Sequence, residues 1–259
     1  MAELIDLTLT LGSERISLVP GLVGVETESI QTHATHARSN QKLCLATHIG
    51  THVDAPFHFV DGATTIEDMP LEKYSGPALL LDLRTVAKGQ SPLSVSELTD
   101  AGANLESVKG KIAILFTGWA EAESGGPRFY GHGPYLSTEG AAYLAKCDAN
   151  AVAVDFPIDK HPDSPQSTIK DFPVHRLLLG QNIPLIENLI NLDKLIGKEF
   201  EIWALPLKLK GGDGAATRAV ARILEPDPDW TLNPSCWPPE TATNSAPFSL
   251  CWMASDSTP

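Results

Sequence analysis

Short apolar runs separated by breaker residues constrain the fold of this chain more than any other feature of its sequence. Most of these runs are rich in Val, Ile and Leu, and Gly, Pro, Asn or Asp bound them. Such a pattern favours strands buried within a sheet. The predicted strands are Glu3–Leu9, Ala78–Leu83, Lys111–Thr117, Asn150–Phe156, Ile183–Glu187 and Phe200–Leu209, with Arg218–Leu224 as a further candidate.

Helix signals lie between these runs. Ser137 is a favourable cap for one predicted helix, and another has proline at its start and glycine at its end. Asn191 is the predicted cap of a third helix. Strands that alternate with short helices indicate an α/β fold, and the few long helices favour a β-rich core with helices outside. The predicted helices are Ser94–Ala101, Thr138–Cys147, Pro173–Gly180 and Leu192–Ile196.

Charge and composition exclude several classes of function. The chain has 19 basic and 32 acidic residues, a formal net charge of −13. This charge argues against binding to nucleic acid or to an anionic membrane surface. A membrane-spanning helix is not expected either, because no apolar run approaches the required length of about 18 residues. The 4 cysteines are scattered, without disulfide or zinc spacing, and therefore indicate reduced thiols in a cytoplasmic protein.

Residues 225–259 differ from the rest of the chain. They contain no Lys or Arg, and they hold 7 of the 20 prolines. Too few aliphatic residues remain there for a core of their own. We therefore expect one domain over residues 1–224, followed by a C-terminal tail. The aromatic side chains of this tail either dock on the body or on a neighbouring subunit, or the tail is partly disordered.

Three histidines and one aspartate are concentrated within the segment His48–Phe59. Histidine and aspartate supply nitrogen and oxygen ligands for a divalent metal. In an extended chain, His52 and Asp54 point to the same side because they are two residues apart. Gly50 permits a sharp backbone turn that brings His48 to the same point. The segment therefore predicts a metal site, and the alternative is a set of surface or hydrogen-bonded histidines.

Three such ligands leave an open coordination position, which distinguishes catalytic metal sites from structural ones. A cation held in this way lowers the pKa of water to roughly 7. Pro56 stiffens the exit from the segment and helps to fix where His58 projects. A histidine near the metal that does not bind it can donate or accept a proton.

The pattern His48-x-Gly-Thr-His52-x-Asp54-x-Pro-x-His58 resembles the signature of the cyclase-like metal-dependent hydrolase family, which includes bacterial kynurenine formamidase and isatin hydrolase. The resemblance extends from about Ile5 to about Arg222. It implies an α/β fold with a β-barrel-like core flanked by helices. It also implies assembly into a homodimer or homotetramer.

The resemblance assigns roles to particular residues. Asp54 would bridge two divalent ions, Zn²⁺ or Mn²⁺, although a single ion per chain remains open. Without the resemblance, His175 is typical of a helix surface, and Glu187 of a partner for a cation. The implied metal ligands are His48, His52, Asp54, His175 and Glu187, and the implied catalytic acid–base is His58.

The implied activity is hydrolysis of a carbon–nitrogen bond in a small molecule, either an aryl formamide such as N-formylkynurenine or a cyclic amide such as isatin. The alternatives are a metal-dependent cyclase or lyase, a lactone hydrolase, and a metal-binding protein without activity. A serine or cysteine nucleophile has little support, because no Gly-x-Ser-x-Gly motif or catalytic cysteine signature occurs.

The sequence leaves more than one role for several further residues. Trp119 either stacks on an aromatic substrate or packs in the core, and Gly211–Gly214 predicts a structural turn. Segment Gln31–Lys42 predicts a polar loop or a lid over the metal. Segment Asp155–Asp159 lacks the serine that many relatives have, so its substrate contacts are open. The remaining histidines, predicted to lie in loops, are His33, His36, His132 and His161.

Overall fold

The computed structural model describes residues 3–19, 21–161, 168 and 170–224. The predicted tail, and with it the predicted domain boundary, lies outside these residues. No helix in the described part of the chain is long and apolar enough to cross a membrane. Its strands are β1 (Leu4–Asp6), β2 (Glu26–Gln31), β3 (Asn40–Cys44), β4 (His52–Asp54), β5 (Ser75–Asp82), β6 (Pro92–Leu93), β7 (Ile112–Phe116), β8 (Tyr135–Leu136), β9 (Ala151–Val154), β10 (Leu185–Glu187), β11 (Phe200–Trp203), β12 (Gly214–Ala216) and β13 (Val220–Ile223).

Nine of these strands form one curled sheet in the order β1–β13–β11–β5–β7–β9–β10–β4–β12. The centre, β5–β7–β9–β10, is parallel, and antiparallel pairs flank it on both sides. Along β7, Ile112 and Ile114 pack into the core on one face of the sheet, and Ala113 and Leu115 pack into the core on the other. Burial on both faces explains why these strands read as continuous apolar runs.

Helices border the sheet, and the predicted α/β fold with a β-rich core is confirmed. The hydroxyl of Ser137 accepts a hydrogen bond from the amide of Gly140 at 3.0 Å, as expected of a cap. The helices are α1 (His33–His36), α2 (Val95–Asp100), α3 (Leu105–Val108), α4 (Trp119–Glu123), α5 (Phe129–His132), α6 (Thr138–Lys146) and α7 (Pro173–Gly180), with 3₁₀ turns at Pro56–His58, Ile66–Asp68, Leu71–Lys73 and Leu192–Leu195.

Asn191 lies at the predicted N-cap position, but its side chain does not make the capping bond expected of it. The segment that follows it is a 3₁₀ turn, and Asn191 itself has a left-handed backbone without a capping bond from its side chain. Its amide nitrogen Nδ2 instead donates to the carbonyl oxygen of Asp6 at 2.8 Å. The side chain therefore joins this turn to β1, a contact that depends on tertiary structure.

Three predicted segments differ in the structure, and the first is β1, which ends at Asp6 rather than Leu9. Strand β11 ends at Trp203 rather than Leu209, and Pro206, which has no backbone N–H for a ladder, lies just beyond it. Segment Gln31–Lys42 is exposed, but it contains α1 and parts of the hairpin β2–β3 rather than a loop alone. Cross-strand backbone pairing does not require a buried face, so a polar sequence can form this hairpin.

Candidate metal centre

The metal-binding motif lies where β4 pairs with β10 on one side and β12 on the other. Gly50 has a positive φ of 59°, which permits the predicted turn between His48 and the strand. Within β4, Val53 packs into the core, whereas the side chains of His52 and Asp54 turn to the opposite face. The strand alternation predicted from the sequence therefore brings both side chains to one site.

Two histidines are oriented by hydrogen bonds through their Nδ1 atoms. His52 Nδ1 lies 2.8 Å from the carbonyl oxygen of Gly50, which also accepts a bond from Asn188 Nδ2 at 2.9 Å. His175 Nδ1 lies 2.6 Å from Asp159 Oδ2. In both rings Nε2 faces the centre of the site. Such partners fix the ring orientation of metal-binding histidines.

Asp54 and Glu187 each direct one carboxylate oxygen toward each of these rings. Asp54 Oδ1 lies 3.4 Å from His52 Nε2, and Asp54 Oδ2 lies 3.6 Å from His175 Nε2. Glu187 Oε2 and Oε1 lie 3.5 Å from the same two nitrogen atoms, respectively. His48 Nδ1 is 2.8 Å from Asp54 Oδ1. The five predicted ligands therefore converge. Both carboxylates lie between two histidine groups, one made of His48 and His52 and the other of His175 alone.

Buried atoms without hydrogen-bond partners make this donor set suitable for a divalent cation. Asp54 Oδ2 and Glu187 Oε1 are buried and make no hydrogen bond. Such atoms are costly unless a ligand satisfies them. Nitrogen and oxygen donors of this kind bind divalent metals such as zinc and manganese. The residues present therefore fit the predicted metal.

The pKa values of the site indicate strong electrostatic coupling. Burial lowers the pKa of His48, but the carboxylates of Asp54 and Asp213 outweigh burial and raise it to about 10. Burial likewise lowers the pKa of His175, but Asp159 and Glu187 outweigh burial and raise it to about 10. Without metal, the carboxylates therefore hold protons on the rings. A bound cation would replace these protons as the positive partner.

Asp213 is a site residue that the sequence analysis missed. Its Oδ2 atom lies 3.1 Å from His48 Nε2 and 3.7 Å from His58 Nδ1. The hydrogen bond from His48 and the nearby ring of His58 hold the pKa of Asp213 well below its usual range, although burial opposes this. Its carbonyl oxygen accepts a bond from Ala55 N at 2.9 Å. The turn at Gly211–Gly214 therefore places a carboxylate in the site, and only its Gly-x-Asp-Gly pattern hinted at this.

His58 lies beside the predicted ligands, on the 3₁₀ turn that begins at Pro56. Its ring stacks on that of His48, with centroids 3.6 Å apart and planes 19° apart. Its side chain is 25% exposed, against 2% for His52. Nitrogen atoms of His58 and His175 also come together with an oxygen of Asp54 in an arrangement that could hold a metal. Geometry alone thus permits His58 either the predicted acid–base role or a ligand role.

A cavity of about 280 Å³ opens onto these residues. Its apolar wall includes Phe59, Tyr130 and Phe172, and the rings of Phe59 and Phe172 lie 5.7 Å apart. Burial raises the pKa of Tyr130 above its usual range, with a smaller contribution from the charge of Glu187. An aromatic wall next to a set of metal donors suits a small molecule that contains a ring.

The other residues singled out in the sequence differ in whether they line the cavity. Trp119 packs in the body, where its indole nitrogen donates to Phe129 O at 3.0 Å, and it does not line the described cavity. His161 lies outside the helices and strands, as predicted, and it also lines the cavity. Asp159 orients His175, and this explains part of the function of the segment Asp155–Asp159. The exposed histidines outside the site lie in the short helices α1 and α5 rather than in the predicted loops, and they are His33, His36 and His132.

Fold and donor set together define an α/β protein with a centre suited to a divalent metal at the mouth of a small-molecule cavity. The family model described as "Putative cyclase" matches residues 5–159. Kynurenine formamidase of Bacillus cytotoxicus is 30% identical over 225 residues, which are 86% of this chain and 99% of the relative. The chain therefore belongs to the cyclase family, as predicted.

Other relatives agree with this assignment. Kynurenine formamidase of Salinibacter ruber is 32% identical over 72% of this chain and 80% of its own length. A crystal structure of an isatin hydrolase bound to the product analogue thioisatinate shares the fold, with a TM-score of 0.74 and 22% identity over 86% of this chain and 93% of that chain. The isatin hydrolase A of Labrenzia aggregata, bound to benzyl benzoate, has a TM-score of 0.72 and 23% identity, over 86% and 94% of the two chains.

Glu187→Gln is expected to lower the metal content from about two ions per chain toward one. Glu187 directs an oxygen toward each histidine group, and glutamine removes the negative charge that helps two cations to share one small site. Elemental analysis of protein saturated with metal measures the stoichiometry, and Glu106→Gln, at an exposed position, is the control. A content of one ion in the unmodified protein would contradict the two-metal arrangement.

Proposed function

We propose that this protein hydrolyses the carbon–nitrogen bond of an aryl formamide or a cyclic amide, of the class of N-formylkynurenine and isatin. The observation that carries the proposal is the pair of carboxylates, Asp54 and Glu187, each directed at both histidine groups next to an aromatic cavity. Relatives named kynurenine formamidase support the choice of an amide as the substrate.

Zn²⁺ or Mn²⁺ is the cofactor we propose, with two ions per chain. His48 and His52 would hold the first ion and His175 and Glu187 the second, with Asp54 shared between them. When bound, the metal supplies an acidified water and polarises the carbonyl group of the substrate. Assembly into a homodimer or homotetramer remains part of the proposal, and light scattering on the purified protein measures it.

The side chains of the chain itself would perform the other steps. Phe59 and Phe172 would hold the ring of the substrate and keep bulk water away from the cleaved bond. In hydrolysis, a bond forms between water oxygen and the carbonyl carbon, and the carbon–nitrogen bond breaks. His58 would accept the proton that water loses and deliver it to the leaving nitrogen. Asp213, close to Nδ1 of His58, would hold that ring in the correct orientation and tautomer.

Asp213→Asn is expected to lower kcat by about 10- to 100-fold, the usual range for a residue that orients a catalytic group or ligand. The amide keeps the shape but removes the negative charge close to His58 and His48. Steady-state kinetics with a hydrolysed amide measure the loss. Asp61→Asn, at an exposed position, is the matched control, and an equal kcat in the two variants would contradict this role.

A second reaction class is favoured by one observation, the family description "Putative cyclase". In such a reaction the same metal polarises a carbonyl group while no amide bond is lost. We would assay metal-loaded protein with N-formylkynurenine, isatin, a hydantoin and a lactone. Cleavage of an amide supports the proposal, whereas turnover of the lactone alone, or ring closure without amide loss, would overturn it.

A further inference from the structure

Arg176 is the only lysine or arginine among the described residues that line the cavity. Its Nε atom is buried and has no hydrogen-bond partner. Its Nη1 atom donates to the carbonyl oxygen of Phe59 at 3.3 Å. The guanidinium group lies over the ring of Phe59, with Cζ 5.0 Å from the ring centroid. The side chain is therefore held in place while part of its hydrogen-bonding capacity remains unused.

This guanidinium group has no close counter-ion in the described part of the chain. No carboxylate there forms an ion pair with it, and its one hydrogen bond is to a neutral carbonyl group. Asp171 feels its charge only weakly, because the lowered pKa of Asp171 is due mainly to hydrogen bonds from Thr168. A partly buried arginine keeps its charge at all physiological pH values. An anion that enters the cavity would therefore meet a cation without a competing partner.

The backbone places this cation beside the metal centre. Arg176 directly follows His175 in α7, and Phe59 directly follows His58. The ring of Phe59 lies 4.5 Å from that of His58 and 4.7 Å from that of His175, between centroids. The guanidinium group therefore contacts the same aromatic ring as the residues predicted to perform the chemistry. All of these side chains line one cavity, so a ring-containing molecule bound there is exposed to both the metal centre and Arg176.

We propose that Arg176 binds a carboxylate group of the substrate and thereby selects anionic aromatic amides over neutral ones. This inference rests on the proposed amide hydrolysis and narrows its substrate class. The guanidinium group matches a carboxylate through parallel N–H donors, and such charged bonds are strong when partly desolvated.

The test compares formanilide, which is neutral, with the ortho, meta and para isomers of formamidobenzoate, which carry a carboxylate. We expect the unmodified, metal-loaded protein to have a higher kcat/KM for at least one isomer than for formanilide. Arg176→Gln is expected to lower that kcat/KM by about 10- to 100-fold, mainly through KM, because a charged hydrogen bond is lost. Arg176→Lys should retain part of the preference, and Lys109→Gln, at an exposed position, is the control.

The outcomes separate this inference from the proposed function. Equal losses for formanilide and for the preferred isomer in Arg176→Gln would mean that Arg176 only supports Phe59, and an unchanged preference would likewise overturn the inference. Hydrolysis of none of these amides, nor of N-formylkynurenine or isatin, would contradict the proposed function instead. Calorimetric titration of the metal-loaded protein with benzoate then still tests Arg176. At least tenfold weaker binding to Arg176→Gln supports the inference, and equal or absent binding overturns it.

Discussion

His52→Ala is expected to abolish metal binding and amide hydrolysis together. The ring of His52 is 2% exposed, and its Nε2 atom faces oxygens of both Asp54 and Glu187. The change removes a nitrogen ligand from a small site, and it leaves two carboxylates with less positive charge around them. Elemental analysis and an amide assay on one preparation, made without chelators, measure both effects.

A matched control variant and a result that would contradict the prediction complete this experiment. His132→Ala removes an exposed histidine at the end of α5, so it should leave both metal content and activity unchanged. Circular dichroism establishes that both variants are folded. Full activity in metal-free protein, whether unmodified or carrying His52→Ala, would contradict the metal-dependent function itself.

His58→Ala is expected to retain the metal and lose turnover by about 10²- to 10⁴-fold, the usual contribution of a general acid–base. His58 is more exposed than His52 and stacks on the ring of His48 rather than lying between the two carboxylates. KM should change far less than kcat, because proton transfer matters mainly in the transition state. Metal content and kcat are measured on one preparation.

This measurement also resolves the two roles that the geometry permits for His58. Loss of metal in His58→Ala would make the residue a ligand, consistent with its approach to Asp54 and His175. An unchanged kcat would assign the proton transfer to another group or to water. His33→Ala, at an exposed position, is the control for removal of a histidine as such.

Local patterns explain why much of the metal centre could be predicted from sequence. His52 and Asp54 share a face because side chains alternate along a strand, and Gly50 supplies the turn that returns His48. Both features arise within a few residues of chain. His175 and Glu187 could be predicted only through the resemblance to a family, since nothing in their local sequence distinguishes them from an ordinary helix histidine and strand glutamate.

Periodicity and residue chemistry act over short distances, and they were enough to predict the α/β class, the buried strands and the donor cluster around His52. The positions of Asp213, Asp159 and Arg176 at the site became visible only in the folded chain. Asp213 reaches His48 because β12 pairs with β4, and Asp159 reaches His175 across 16 residues of chain. Strand pairing and helix packing create such contacts between distant segments, and no local pattern encodes which distant partner a charged side chain will meet.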